Sequence, residues 1–289
     1  MAKRKTIPDF IKMMEAGEKV TWVTGYDYLT AKYEERAGLD MILVGDSLGM
    51  VQYGYDTTFP VTMEDEIRHC QAVRRGAPNT FVVGDMPYMS YQISNEEAIE
   101  NAGRFIKEAD CDCVKLEGGT PAIVERMKAI TGAGIAAIGH IGLTPQFMAQ
   151  IGGYKAQGKS AEAVKSMIDQ ARALEEAGAW AILVEGVPTV TGKAIKAVCD
   201  IPIYGIGAGS FTDGQLIIYA DMVGYYDDFT PKFVKKYANI GEELLNAFTQ
   251  YVKEVKDQTF PDDAVHAYKI DPEEEAKVEK MIEEIKKNK

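Results

Sequence analysis

Short, strongly apolar runs rich in β-branched residues recur along the chain, and most of them end at a polar residue or a glycine. These runs do not alternate between apolar and polar positions, which is typical of strands buried on both faces of a parallel sheet. They predict eight strands, of which the last is the weakest, at residues 20–24, 41–44, 81–83, 113–116, 135–138, 181–184, 201–206 and 222–224.

Helical periodicity fills the intervals between the runs, as in residues 97–109 and 161–177. Each interval is long enough for a crossover helix and its two loops, which a parallel strand pair needs. Eight such βα units within residues 20–224 predict a closed (β/α)8 TIM barrel in the α/β class. An open, doubly wound sheet is the alternative architecture.

No linker rich in Pro, Gly or Ser divides the chain. We therefore expect one barrel domain, with its N-terminal helix, over residues 1–260 and a tail over residues 261–289. Within the tail, Val278, Ile282 and Ile285 fall on one face of a helix, so the sequence predicts an added amphipathic C-terminal helix.

Charge and cysteine content narrow the class of protein. The 32 Lys+Arg against 44 Asp+Glu give a net charge of -12, which argues against nucleic acid or an acidic membrane as a partner. Four cysteines in 289 residues do not form a disulfide framework of the small secreted type. Neither a signal peptide nor an apolar run of about 18 residues is present, so we expect a soluble, cytoplasmic protein.

Polar side chains end several of the predicted strands, and in a barrel these ends meet at one mouth where active sites form. Lys115 lies two residues before Glu117, so the two side chains point to the same side of their strand. Several carboxylates in one mouth repel each other without a cation, and oxygen ligands favour Mg²⁺. The candidates at the strand ends are Asp46, Asp85, Glu117, His140 and Glu185.

Each candidate also has a structural interpretation. Asp46 or Asp85 could cap a following helix, Lys115 could form a structural salt bridge, and His140 could be a core histidine with its hydrogen bonds satisfied. The glycines of residues 205–209 could bind phosphate after the seventh strand, but they lack the spacing of a dinucleotide-binding loop.

Seven sequence strings carry a more specific signal, because they occur in one order over residues 20–236. They closely resemble the motifs of the ketopantoate hydroxymethyltransferase family. The strings are VGDSLGM (44–50), GYDTTFPVT (54–62), GDMPYMSY (84–91), VKLEGG (114–119), GHIGLTPQ (139–146), GGYKAQG (152–158) and GIGAG (205–209) with TDGQ (212–215).

The resemblance implies a TIM barrel of the phosphoenolpyruvate/pyruvate superfamily and a step of pantothenate biosynthesis. A hydroxymethyl group would pass from 5,10-methylenetetrahydrofolate to 3-methyl-2-oxobutanoate, giving 2-dehydropantoate in a Mg²⁺-dependent reaction through an enolate. The family also suggests a homodecamer.

Carried over position by position, the resemblance assigns a role to each candidate. Asp46, Asp85 and Glu117 match the acidic residues of the Mg²⁺ site, and Glu185 matches the proton acceptor. Substrate-binding positions are matched by Asp46, Ser47, Asp85, Lys115 and His140.

The chain departs from the family pattern at three places near the strand ends. Gly25 stands where the family often has alanine, Gly186 where it often has cysteine or alanine, and Ala220 where many members have histidine. Three other functions stay open: a lyase or mutase of the same superfamily, a class I aldolase that uses Lys115 as a Schiff base, and a barrel that only binds.

Overall fold

In the computed structural model, which describes residues 3–288, eight parallel strands form a closed barrel. The strands are β1 (Val20–Thr24), β2 (Met41–Val44), β3 (Phe81–Asp85), β4 (Cys113–Glu117), β5 (Ala137–Gly142), β6 (Ala181–Glu185), β7 (Ile203–Ile206) and β8 (Gly214–Ile217). Neighbouring strands pair in sequence order, and β8 closes the barrel by pairing with β1. The predicted (β/α)8 class is confirmed, and the open sheet is excluded.

Thirteen α-helices connect and follow the strands in the described residues, with a short 3₁₀ helix at Pro145–Phe147. They are α1 (Ile7–Ala16), α2 (Tyr28–Ala37), α3 (Leu48–Val51), α4 (Met63–Gly76), α5 (Asn95–Ala109), α6 (Pro121–Gly132), α7 (Met148–Ile151), α8 (Ala161–Glu176), α9 (Thr189–Lys196), α10 (Tyr219–Met222), α11 (Ile240–Lys256), α12 (Asp263–His266) and α13 (Pro272–Lys287).

Local signals fix where the helices begin. Thr62 caps α4 by accepting a hydrogen bond from the Asp65 backbone, while the Asp65 carboxylate accepts one from the Thr62 backbone. This reciprocal pair satisfies two backbone donors that a helix start leaves free. Ser94 and Ser160 cap α5 and α8 with their hydroxyl oxygens.

Alternate side chains on each strand enter two different apolar layers, as the period of a strand requires. Phe81 and Val83 of β3 belong to the cluster inside the barrel, whereas Val82 packs beneath the helices. Phe10 of α1 contacts Phe81, the first residue of β3, with ring centroids 5.1 Å apart. Helix α1 therefore closes the N-terminal end of the barrel, which leaves the C-terminal end as the mouth.

The predicted eighth strand at residues 222–224 is wrong. Those residues end α10 and follow it, and β8 lies earlier, where Leu216 pairs with Trp22 of β1. The segment 207–213 joins β7 to β8 without a helix. Gly207 and Gly209 adopt positive φ there, a conformation that glycine allows and that reverses the chain within a few residues.

The described chain divides into two compact units, one ending at Ala238 and the other beginning at Asn239. The boundary expected at residue 260 stays a prediction, and α11 lies in the second of these units. Several apolar side chains of α11 are exposed: Leu245, Phe248, Tyr251, Val252 and Val255. Helix α13 forms at the predicted place, with Val278, Ile282 and Ile285 exposed.

Among the described residues, the helices are all too short or too polar to cross a membrane.

Glu34 on α2 is a buried acid, 8% exposed, and within residues 3–288 neither of its carboxylate oxygens has a hydrogen-bond partner. Burial, helped by the charge of Asp27, raises the pKa of Glu34 to about 8. A Cβ at Gly25 would lie 2.4 Å from Glu34 Oε2. The glycine found where the family often has alanine therefore makes room for this carboxyl group.

Glu34 makes the stability of the protein depend on pH. Its carboxyl group keeps its proton in the folded protein up to about pH 8 but loses it near pH 4.5 in the unfolded chain. Because the folded state binds the extra proton between these values, the free energy of unfolding falls as the pH rises, by roughly 1.4 kcal/mol per unit in the middle of the interval. Glu34→Gln is expected to remove that slope and to be more stable than the wild type at pH 8.5.

The measurement is urea unfolding from pH 5 to 9. Glu15→Gln, which changes an exposed glutamate of α1, is the matched control and should follow the wild-type curve. Parallel curves for wild type and Glu34→Gln would contradict a protonated Glu34.

Candidate active site

The barrel brings the predicted site residues together around one cavity of about 590 Å³ at its C-terminal mouth. Strand alternation explains the position of four of them, because each follows an inward-facing apolar side chain by two positions: Asp85 after Val83, Lys115 after Cys113, His140 after Ile138 and Glu185 after Leu183. All of the predicted site residues line the cavity: Asp46, Ser47, Asp85, Lys115, Glu117, His140 and Glu185.

Lys115 is the buried cation of the cavity. Its Nζ lies 2.8 Å from Asp85 Oδ1, 3.5 Å from Glu117 Oε1 and 3.3 Å from His140 Nδ1. Burial acts to lower the pKa of Lys115, but the carboxylates of Asp85 and Glu117 outweigh it and raise the pKa above its ordinary value. Lys115 is therefore charged at neutral pH.

His140 connects the buried carboxylate of Glu117 to the more accessible Glu185. Its Nδ1 lies 3.3 Å from Glu117 Oε1, and its Nε2 lies 3.1 Å from Glu185 Oε2. Burial and the Lys115 charge act to lower the pKa of His140, yet Glu117 and Glu185 raise it to about 9. An imidazolium in this position helps to balance the negative charge of the two glutamates.

The three buried carboxylates differ in how well they are compensated. Burial raises the pKa of Asp46 well above its ordinary value, and Asp85 and Glu117 add to the shift by like-charge repulsion. The pKa of Asp85 is also raised by burial, although Lys115 opposes it. The pKa of Glu117 is lowered despite burial, because Lys115 and His140 stabilise its charge. Among the described residues Asp46 is the one of the three that forms no ion pair, so it is the carboxyl group that a bound cation would stabilise most.

Gln146 is a residue that sequence reasoning missed, and it holds the acidic cluster in place. Its backbone N–H donates to Glu117 Oε2 at 3.0 Å, and its Nε2 donates to Asp46 Oδ2 at 2.9 Å and to the Met86 carbonyl at 3.0 Å. Its Oε1 accepts a hydrogen bond from Tyr91 Oη at 2.6 Å. The available signal was its position four residues after the end of β5.

Gln146→Leu is expected to destabilise the fold by roughly 2–4 kcal/mol. The change leaves an oxygen of Asp46 and the Met86 carbonyl buried without a donor, and each loss costs about 1–3 kcal/mol. Urea unfolding at pH 7.5 measures the effect, with Gln150→Leu, an exposed glutamine of α7, as the control. Equal stability of the two variants would show that Gln146 does not support the cluster.

Two further side chains at the mouth were not predicted as site residues. Tyr154, after α7, and Asp221, on α10, both line the cavity. The predicted residue Ser47 lies at the same mouth, with its Oγ 2.7 Å from Tyr26 Oη. Asp221 follows the true β8, so the misplaced eighth strand hid it.

The oxygen donors fit a magnesium ion at Asp46 and Asp85. Among the described residues no group of three or more His, Cys, Asp or Glu side chains is arranged to hold a metal ion. Mg²⁺, however, is commonly held by one or two carboxylates with waters and substrate oxygens. Asp46 and Asp85 lie side by side, with the Asp46 backbone N–H donating to Asp85 Oδ2 at 3.1 Å, and within residues 3–288 no ion pair reaches the Asp46 carboxyl group. Glu117, the third predicted metal residue, has its oxygens directed at Gln146, Lys115 and His140.

A parallel barrel whose C-terminal mouth joins carboxylates, a buried ammonium and a glutamate–histidine pair defines an enzyme of the (β/α)8 class. The site can hold a small anion at Lys115 and move a proton through Glu185. The chain belongs to the ketopantoate hydroxymethyltransferase family, whose sequence model matches residues 4–263.

Curated relatives agree with this family over nearly the whole chain. The 3-methyl-2-oxobutanoate hydroxymethyltransferase of Alkaliphilus metalliredigens is 57% identical over 287 residues, which are 99% of this chain and 100% of the relative. The enzyme of the same name from Clostridium botulinum is 51% identical over 268 residues, covering 93% and 97% of the two chains. The resemblance recognised in the sequence motifs is confirmed.

Solved structures support the fold. Phosphoenolpyruvate phosphomutase from Streptomyces platensis superposes with a TM-score of 0.59 at 16% identity, covering 98% of each chain. A 2,3-dimethylmalate lyase of the PEP mutase/isocitrate lyase superfamily gives a TM-score of 0.57 at 15% identity, covering 93% of this chain and 91% of the lyase. These likenesses agree with the closed (β/α)8 barrel fold.

Proposed function

We propose that the protein transfers a hydroxymethyl group from 5,10-methylenetetrahydrofolate to C3 of 3-methyl-2-oxobutanoate, giving 2-dehydropantoate for pantothenate biosynthesis. The observation that carries the proposal is the buried Lys115 ammonium, 2.8 Å from Asp85, in the same cavity as the Glu185–His140 pair. Membership of the family supports the same reaction.

The keto acid binds where the cavity offers positive charge and a hydroxyl group. Lys115 is the buried cation there, and Ser47 supplies a hydroxyl that can turn from Tyr26 to the substrate. Asp46 and Asp85 would hold Mg²⁺, which would supply a Lewis acid for the keto carbonyl. Glu117 belongs to the same acidic cluster as Asp46 and Asp85. Its carboxylate holds Lys115 and His140 in position.

Glu185 acts as the base. Its side chain is 17% exposed, whereas those of Asp85 and Glu117 are 2% exposed, so it is the most accessible of these three carboxylates. It takes the C3 proton of the keto acid while Lys115 stabilises the enolate charge. His140, 3.1 Å from Glu185, orients the base.

The second half of the reaction forms one carbon–carbon bond. The enolate carbon attacks the methylene carbon of the donor, the carbon–nitrogen bonds to that carbon break, and one water supplies the hydroxyl group. The products are tetrahydrofolate and 2-dehydropantoate, so atoms and charge balance with no oxidant.

The charge of Lys115 disfavours the aldolase alternative. A Schiff base requires a neutral amine, and the acidic neighbours of Lys115 raise its pKa. Borohydride treatment with the keto acid should therefore leave Lys115 unmodified, and a covalent adduct there would support the aldolase.

The test of the proposed function is exchange of the C3 proton of 3-methyl-2-oxobutanoate in D₂O, followed by proton NMR. We expect exchange that requires Mg²⁺, is lost with EDTA and proceeds without folate. A folded sample that shows no metal-dependent exchange would refute the proposed chemistry.

Assembly into a homodecamer is a further part of the proposal. The exposed apolar side chains of α11 support self-association, since a 17-residue helix rarely leaves such a face in water. Light scattering should give ten times the chain mass of 31.8 kDa.

A further inference from the structure

The cavity contains a second acidic position that the proposed chemistry does not use. Asp221 lies on α10, directly after β8, and is 5% exposed while lining the cavity. Lys115 and Glu117 lie on β4, which is four strands from β8 in either direction around the barrel. Asp221 therefore faces the catalytic residues from the opposite wall.

Asp221 has no structural partner that would explain its burial. Across residues 3–288, no hydrogen bond or ion pair reaches its carboxylate, and it caps no helix. Burial raises the pKa of Asp221 to about 6, and Lys236 acts in the opposite direction. At neutral pH the group is mainly a carboxylate, which can only accept hydrogen bonds. A buried carboxylate without donors is costly, so the site suits a ligand that brings donors with it.

The cavity that Asp221 lines has many apolar and several aromatic side chains in its walls. A planar ring system would fit such a wall, and a cavity of about 590 Å³ offers more room than a five-carbon keto acid fills. The apolar lining includes Ile206, Leu216, Ile218, Tyr226, Phe229 and Phe233.

We propose that Asp221 binds the one-carbon donor by accepting hydrogen bonds from the 2-amino-4-oxopyrimidine edge of its pteridine ring. That edge presents two adjacent N–H donors, which match the two oxygens of one carboxylate in a bidentate pair. The inference rests on the proposed function, because it takes a tetrahydrofolate as the second substrate. It makes Asp221 a binding and specificity residue and leaves proton abstraction to Glu185.

The first test measures binding of tetrahydrofolate by calorimetry. Asp221→Asn keeps the shape of the side chain but replaces one acceptor oxygen by a donor, and it should raise Kd by about 10- to 100-fold. Asp227→Asn, an exposed acid six residues further along, removes the same charge and should leave Kd within about twofold of the wild type. Equal Kd values for the two variants would overturn the proposal.

A second arm identifies the atoms involved. A tetrahydrofolate analogue without the 2-amino group should bind the wild type about 10-fold more weakly than tetrahydrofolate, but should bind Asp221→Asn with nearly the same Kd as tetrahydrofolate. If the analogue loses the same factor with both proteins, Asp221 does not contact that group and the assignment is wrong.

The exchange assay separates this inference from the proposed function. Asp221→Asn should keep the wild-type rate of folate-independent C3 proton exchange, which also shows that the variant is folded. Loss of both exchange and tetrahydrofolate binding in the variant would overturn the role given to Asp221. Absence of exchange in the wild type would instead refute the proposed function, while the binding comparison would still decide the role of Asp221.

Discussion

Replacing Lys115 with methionine is expected to lower kcat/KM for hydroxymethyl transfer by about 10³-fold or more. Removal of one group that stabilises a developing negative charge in a dry site costs about 10²- to 10³-fold. Lys115 also compensates Asp85 and Glu117, so its loss changes the charge of the whole cluster. Steady-state kinetics with saturating Mg²⁺ and folate measure the effect.

The same substitution is expected to lower the free energy of unfolding by roughly 3–5 kcal/mol, because it removes one partner from a buried ion pair. Lys128→Met, which changes an exposed lysine of α6, is the control for the loss of a charge. Lys115→Met with normal turnover would refute the role of the ammonium in both substrate binding and enolate stabilisation.

The position of the site could be predicted from sequence because the fold makes strand ends converge. Once eight apolar runs are recognised, Asp85, His140 and Glu185 each follow a run, and the two-residue period sends them into the barrel. The closed barrel can be predicted from the number and order of its βα units, without knowing any contact between residues far apart in the sequence. The motif resemblance added the reaction, which strand counting alone does not reveal.

Contacts between side chains from distant segments of the chain could not be predicted in the same way. Gln146 reaches Asp46, 100 residues earlier in the chain, and only the path of the loop after β5 sets that contact. The eighth strand was misplaced because Gly214–Ile217 is short, follows β7 without a helix and contains an exposed glutamine. Residues 222–224 were predicted in its place, but they lie at the end of α10 and directly after it.

The burial of Glu34, an acid outside the site, also could not be predicted from the pattern of hydrophobic and polar residues. Glu34 occupies a polar position of an ordinary amphipathic helix, and only its contact with Gly25 shows that it points inward. The departure from the family at Gly25 was visible in the sequence, but its cause was not.

Glu185→Gln is expected to abolish exchange of the C3 proton and to lower turnover by about 10²- to 10⁴-fold, since an amide cannot accept the proton. Binding of 3-methyl-2-oxobutanoate should change by less than about threefold, because Lys115 and Ser47 hold the keto acid from other strands. Calorimetry for binding and NMR for exchange separate the two effects.

The pKa of His140 gives a second, independent measurement of the Glu185→Gln substitution. Glu185 helps to raise the pKa of His140 to about 9, so the uncharged glutamine should lower that pKa. An NMR titration of His140 in the metal-free protein measures the shift, and Glu176→Gln, an exposed glutamate of α8, should leave it unchanged. Exchange that persists in Glu185→Gln while the His140 pKa falls would mean that a different group removes the proton. His140 would then be the first candidate, because it is the titratable group that directly contacts Glu185 in the described cavity.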